Sequence, residues 1–190
     1  MSERRRDSDR STTEIQQDSA PGFERRSTDG GQPTPVQTFT DCQGEQTVNE
    51  SRPLPEVNQL DSGTVEIVSE DDILTARQTT REVVESLDFR ITDVTRTVTA
   101  VSELARNVYL YAGEGTMTWY EIRRGDRTGI ELRFDDDGPG IKNLSAAVSG
   151  NYSTSHGMGR GLEGTRELMD TFKIQTSKDG TTVTVRKWNR

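Results

Sequence analysis

The chain has a single cysteine, Cys42, and a single histidine, His156. One cysteine excludes an internal disulfide and suits a reducing compartment. One histidine excludes a metal site built from several imidazoles. It also leaves no phospho-accepting histidine on a dimerising helical hairpin, because His156 sits in a glycine-rich stretch; its presence there reads as incidental. Apolar residues make up 29% of the 190 residues and aromatics 6%. No apolar run approaches the ~20 residues that span a bilayer, and no signal-peptide core follows the N-terminus. Lysine is also scarce, with four lysines against twenty arginines. A net charge of −8 argues against nucleic acid as the main partner, since phosphate contacts need clustered Lys and Arg. These absences predict a cytoplasmic protein with no nucleic-acid and no membrane partner. The arginine bias, with abundant Asp, Glu and Thr, fits a high-salt cytoplasm, where screening tolerates an acidic surface.

The apolar deficit is concentrated in residues 1–60, which are rich in Ser, Thr, Gln, Asp, Gly and Pro and show no sustained period. Such a segment buries too little apolar surface to offset its ordering entropy, so it reads as a disordered acidic tail. Residues 61–190 are left as one domain. Within the tail, Glu3-Arg4-Arg5-Arg6-Asp7 reads as a solvated mixed-charge terminus rather than a nucleic-acid patch, because acids are interspersed.

The domain itself is periodic. Thr64-Val65-Glu66-Ile67-Val68 alternates as a strand does. Ser69, three before Asp72, makes a capping-box-like helix start, and Ile73, Ala76, Thr80, Val83, Val84 and Leu87 follow at helical spacing. A second helix is expected from Ile91 to Tyr111 on the stripe Val94, Val98, Val101, Leu104, Ala105, Val108, stopped by Gly113-Glu114-Gly115. A hairpin pairs Thr116–Arg123 with Thr128–Phe134 about Gly125-Asp126. Residues 135–158 read as a long functional loop with a helical turn near Leu144–Val148. Gly161–Met169 then reads as helix, and Phe172–Thr176 and Thr182–Val185 as strands. This order predicts an α+β two-layer sandwich, helices on one face of a mixed sheet.

Three short runs carry candidate chemistry. Glu103 and Asn107 lie four apart on the second helix, so they share a face beside the apolar stripe. An Asn oxygen ligates Mg²⁺ and a neighbouring Glu accepts a proton from an attacking hydroxyl; the same spacing also fits an ordinary exposed polar face. Asp136-Asp137-Gly138-Pro139-Gly140 ends a strand. There a carboxylate meets an exocyclic amine and glycine backbone allows close approach, although these are also the commonest turn residues. Gly157-Met158-Gly159-Arg160-Gly161 feeds a helix N-terminus, a phosphate site in physical terms or a plain hinge. Arg160 fits either a γ-phosphate contact or a surface position.

Together these runs resemble the N, G1 and G2 boxes of the GHKL superfamily, and most closely the RsbT-type serine/threonine switch kinases. The resembling text is Ser102-Glu103-Leu104-Ala105-Arg106-Asn107-Val108-Tyr109-Leu110-Tyr111-Ala112-Gly113, Asp136-Asp137-Gly138-Pro139-Gly140-Ile141 and Ser153-Thr154-Ser155, with Leu168-Met169-Asp170 and Lys187-Trp188. It covers about residues 64–190. The resemblance implies a Bergerat sandwich that binds ATP and Mg²⁺. Glu103 would be the catalytic base, Asn107 the magnesium ligand and Asp136 the adenine contact. Gly138 and Gly140 would shape that turn, Gly157, Gly159 and Gly161 would carry a lid over the phosphates, and Thr181 would lie near the adenine. It further implies phosphorylation of STAS-domain scaffold and antagonist proteins in stress-response signalling, and activation of a PP2C-type phosphatase by partner switching. A nucleotide-binding anti-sigma-like or phosphatase-activating module without significant kinase activity is the alternative. His156 stands where the family's lid is expected to have a small residue, and the acidic tail has no counterpart in the resemblance.

Overall fold

The computed structural model describes residues 38–40, 45–49, 56–148 and 158–190, all in the unit Thr34–Arg190. Among the described residues seven strands form one sheet: β1 (Thr38–Thr40), β2 (Gln46–Asn49), β3 (Asn58–Ile67), β4 (Gly115–Arg124), β5 (Arg127–Asp136), β6 (Thr171–Ser177) and β7 (Gly180–Trp188), in the order β1-β2-β6-β7-β5-β4-β3. The helices among the described residues are α1 (Glu70–Ser86), α2 (Ile91–Asn107), α3 (Leu144–Val148) and α4 (Met158–Leu168), and a π-helical turn, Val108–Ala112, continues α2. The helices touch in the order α1, α2, α4, α3 and pack on the sheet around a single apolar core. This is the expected α+β two-layer sandwich. No helix among the described residues is long and apolar enough to cross a membrane.

Every strand pairing is antiparallel, in place of the mixed sheet that the element order predicts. The connections explain it. Between β3 and β4 the chain runs out along α1 and back along α2, so β4 starts at the end of the sheet where β3 stopped. The single long crossover between β5 and β6 makes those two strands run the same way, but β7 slots between them and opposes both. The expected boundary at residue 61 falls inside β3, and β1 and β2 extend the sheet further into the segment read as tail. Val48 is buried on β2, where that strand pairs with β6. Residues 1–37, 41–44 and 50–55 lie outside the described residues.

Local sequence accounts for the helix boundaries. The Asp72 carboxylate accepts from the Ser69 N–H at 2.8 Å and the Ser69 hydroxyl at 2.7 Å, closing the start of α1. These bonds, the Ser69 hydroxyl first, hold the Asp72 carboxyl below its ordinary range. The α2 stripe is buried at every expected position, from Val94 to Val108. Burial of each Val or Leu of the stripe is worth about 1.5–3 kcal/mol. At the far end, buried Lys187 on β7 donates to the Leu168 carbonyl at 2.9 Å and pairs with Asp93 at 3.5 Å and Asp170 at 3.3 Å. One ammonium thereby ties the start of α2 to the end of α4, the two helices that frame the site.

Candidate active site

Three neighbouring strands end their core-facing stripes in the same way. On β5, Ile130, Leu132 and Phe134 alternate into the core and Asp136 is the next position on that face. On β7 the stripe Val185, Val183 ends at Thr181, and on β6 the stripe Phe172, Ile174 ends at Thr176. The register sets Asp136 opposite Thr181 and Thr181 opposite Thr176. The sheet thus delivers a polar row, carboxylate–hydroxyl–hydroxyl, at one end of an apolar wall. Asp135, one residue away, faces the other side of the sheet and is held by Arg133 at 2.8 Å and Thr182 at 2.8 Å.

A cleft with an empty volume of about 520 Å³, open mouth included, lies over this row. Its walls are Leu104, Val108, Phe134, Ile141, Leu162, Ile174 and Val183, with Asn107, Asp136, Gly140 and Thr181 supplying polar groups and backbone approach. Asp136 Oδ1 accepts from the Gly138 N–H at 2.9 Å. Burial pushes the Asp136 carboxyl above its ordinary 3.8, against the opposing pull of the Gly138 and Thr181 N–H groups; Asp137 and Asp135 add to the rise. A carboxylate costly to desolvate, at the floor of an apolar cleft, has a free-energy reason to meet a ligand donor.

The other end of the site is the Glu103/Asn107 face of α2. Both side chains are half-buried, and α4 is seated on them by its first turn: a Cβ on Gly161 would stand 3.1 Å from Glu103 Oε2 and 3.7 Å from Asn107 Nδ2. The Asn107 amide nitrogen is buried with no hydrogen-bond partner among the described residues. An orphaned buried carboxamide beside a helix N-terminus fits a group that a ligand completes. Its oxygen and nitrogen exchange places by a half-turn of the amide. No cluster of three or more His, Cys, Asp or Glu that could hold a metal occurs among the described residues. A Mg²⁺ here would therefore be held by Asn107 together with phosphate and water oxygens, a set this hard cation accepts.

The structure therefore brings together Asn107, Asp136, Gly140 and Thr181 around the cleft. Glu103 stands beside Asn107 against Gly161. Gly138 is packed on Ala112 rather than on the cleft, its would-be Cβ 2.7 Å from the Ala112 Cβ. α4 starts at Met158, three residues before the expected Gly161, so Gly159, Arg160 and Gly161 lie in its first turn and not in a loop ahead of it. Gly157 and His156 lie outside the described residues, as do the side chains of residues 158–160. Sequence reasoning missed the apolar walls Ile141 and Ile174 and the hydroxyl of Thr176. The signal for Thr176 was present: it is the polar end of a strict alternation Phe172, Ile174, Thr176.

Two glycines yield predictions. Gly140 has φ +66°, and a Cβ there would collide with the Ser177 carbonyl. Gly140→Ala adds the ~1–2 kcal/mol strain of a left-handed L-residue to a backbone collision. Thermal denaturation is expected to show a melting temperature several degrees lower, and an unchanged melt would contradict the packing. Gly161→Ala is expected to behave oppositely. Alanine favours a helix by ~1 kcal/mol, yet its methyl shifts Glu103 by a few tenths of an ångström. Turnover should fall roughly three- to tenfold with the melting temperature held or raised, since small misplacements cost rate; wild-type turnover would show that Glu103 needs no such placement.

An antiparallel sheet under paired helices, with an apolar cleft between an Asp-Gly turn and an Asn-bearing helix, has the form of a histidine kinase-like ATPase domain, and the pattern of that domain matches residues 68–187. The chain is also 40% identical, over 131 residues, to the serine/threonine-protein kinase RsbT of Bacillus subtilis (strain 168), an alignment covering 68% of this chain and 98% of the relative. The chain belongs to the histidine kinase-like ATPase family and, within it, to the RsbT-type protein serine/threonine kinases.

Proposed function

We propose that this cytoplasmic kinase uses ATP with Mg²⁺ to phosphorylate serine or threonine on STAS-domain proteins, and that it exchanges those partners for a PP2C-type phosphatase in a partner-switching circuit. The observation that carries the chemistry is the seating of the first turn of α4 on the Glu103/Asn107 face, at the opposite end of the site from Asp136. Asp136 accepts the adenine amine, and the apolar walls cover the base. The N–H groups at the start of α4 face the phosphates, where the helix dipole favours negative charge. Glu103 takes the proton of the attacking hydroxyl as that oxygen bonds to the γ-phosphorus and the bond to the ADP oxygen breaks. Asn107 would hold Mg²⁺, whose contribution when bound is neutralisation of phosphate charge. Positioning and electrostatics then supply most of the rate, as is general for phosphoryl transfer.

The test is incubation of the full chain with γ-labelled ATP, Mg²⁺ and a STAS-domain protein from the same cell, followed by phosphosite mapping. Label on a serine or threonine of the STAS protein is the expected result. Nucleotide binding with no transfer would favour the non-catalytic binding module and overturn the proposed reaction.

A further inference from the structure

The core-facing stripe of β7 is polar at both ends. Thr181 closes it at the cleft, and Lys187 closes it at the far end, beneath the helices. Lys187 is only 3% exposed. Its ammonium donates to the carbonyl of Leu168, the last residue of α4, at 2.9 Å. It pairs with Asp170 at 3.3 Å and with buried Asp93, in the first turn of α2, at 3.5 Å. Each charge suits its place, an acid at a helix start and a cation on a last-turn carbonyl. Neither carboxylate depends on Lys187 alone. Asp93 also pairs with Arg96 at 3.4 Å, and Asp170 accepts from the Trp188 N–H at 2.9 Å and pairs with Arg190. An apolar side chain would fill the space as well; what the ammonium adds is a fixed arrangement of its three partners.

α2 and α4 run in opposite directions and meet at two points. At one end Gly161 is seated on Glu103 and Asn107. At the other, Lys187 joins Leu168 to Asp93. Along α2 the two points are ten residues apart, about 15 Å of helix. Between them Leu162 joins the apolar core. The hydroxyl of fully buried Thr165, on the same face as Gly161, has no hydrogen-bond partner among the described residues. These contacts hold the helices together without a polar tie that sets how far one slides along the other. We infer that Lys187 is a positioning residue for phosphoryl transfer, an inference resting on the kinase reading above. By joining the end of α4 to the start of α2 it fixes the slide of α4, and with it the seat of Gly161 on Glu103 and the placement of the α4 N–H groups. Lys187 does not line the cleft, so it acts only through α4.

The test is a double-variant cycle on the full chain: wild type, Asp93→Ala, Gly161→Ala and the two combined. Asp93→Ala releases α2 from the junction and leaves Lys187 its contacts with Leu168 and Asp170. Single-turnover phosphotransfer to a STAS protein is read beside calorimetric binding of adenosine. Asp93→Ala should slow transfer roughly three- to tenfold, as a small misplacement of reacting groups does. Adenosine affinity should stay within about twofold, because Asp136 and Thr181 stand on strands at the other end of the stripe. Substitutions this far apart ordinarily act independently, so their losses would multiply. Acting through the one slide of α4, the combined variant should instead fall well short of the product. Should Asp93→Ala fail to fold, Asp93→Asn, which keeps the volume and loses the charge, takes its place in the cycle. Wild-type transfer by the Asp93 variant whatever its melting temperature, losses that multiply, or adenosine affinity that falls in step with transfer overturns the inference. A wild type that transfers no phosphate would overturn the kinase reading and this inference with it.

Discussion

Glu103→Gln should abolish most phosphotransfer while leaving nucleotide binding intact. Glutamine keeps the length and shape of the side chain and retains an oxygen beside Gly161, so the seat of α4 is preserved. What it loses is basicity. General-base catalysis by a positioned carboxylate is worth about 10²–10⁴-fold, and kcat should fall by that amount. The affinity for an ATP analogue should stay within about twofold, because Glu103 is not among the residues lining the base cleft. Single-turnover transfer of labelled phosphate, measured beside calorimetric binding, separates the two effects. Undiminished transfer by the variant would remove Glu103 from the chemistry. An equal loss of binding would make it a structural residue.

Asp136→Asn should do the reverse, weakening nucleotide binding by roughly 10–100-fold, the range for a hydrogen bond to a charged group. The carboxylate presents two acceptor oxygens, one already taken by the Gly138 N–H. A carboxamide presents one, and its NH₂ group meets the adenine amine donor to donor. Protonation should mimic the substitution. Burial raises the Asp136 carboxyl above its ordinary 3.8, so as the pH falls wild-type affinity should begin to drop at a higher pH than an ordinary carboxylate would dictate. The variant should lack this limb. The stability sign follows from linkage. A folded-state value above the unfolded one means that the folded chain binds more protons between the two, so the stability contribution of Asp136 is greatest at low pH and is lost as the pH rises through that window. Relative to Asp136→Asn, the nucleotide-free wild type should become less stable with rising pH. Denaturant titrations of both proteins across the acid range check this, and a pH-independent difference would contradict the burial of a charged Asp136.

Much of this site was legible because its residues obey the periods of the elements that hold them. Glu103 and Asn107 share a helix face by simple spacing, and the stripe beside them is buried as the period requires. Asp136 could be placed at a strand end because Ile130, Leu132 and Phe134 alternate ahead of it. The failures have equally physical causes. β1 and β2 are three and four residues long in a polar stretch, too short for a period to show, and they gain structure from pairing and from the burial of Val48. β3 begins six residues before the alternation starts at Thr64, because the first five positions of that edge strand are exposed and carry no apolar signal. α4 starts at Met158 despite Gly159 and Gly161, because its first turn is seated on Glu103 and Asn107 of α2, a contact across the fold that the local run does not record. Strand direction was misjudged because it depends on where β7 inserts, a long-range choice that no local pattern records. Thr176 was overlooked because its hydroxyl matters only through partners 35 and 5 positions away in the chain.

The most direct measurement is a crystal structure of the full chain with a nonhydrolysable ATP analogue and Mg²⁺. The expected density has the adenine amine on Asp136, the metal on Asn107, and the terminal phosphate between Glu103 and the first turn of α4. A nucleotide bound elsewhere, or a cleft closed by the protein's own side chains with the ligand excluded, would contradict the assignment of this site to phosphoryl transfer.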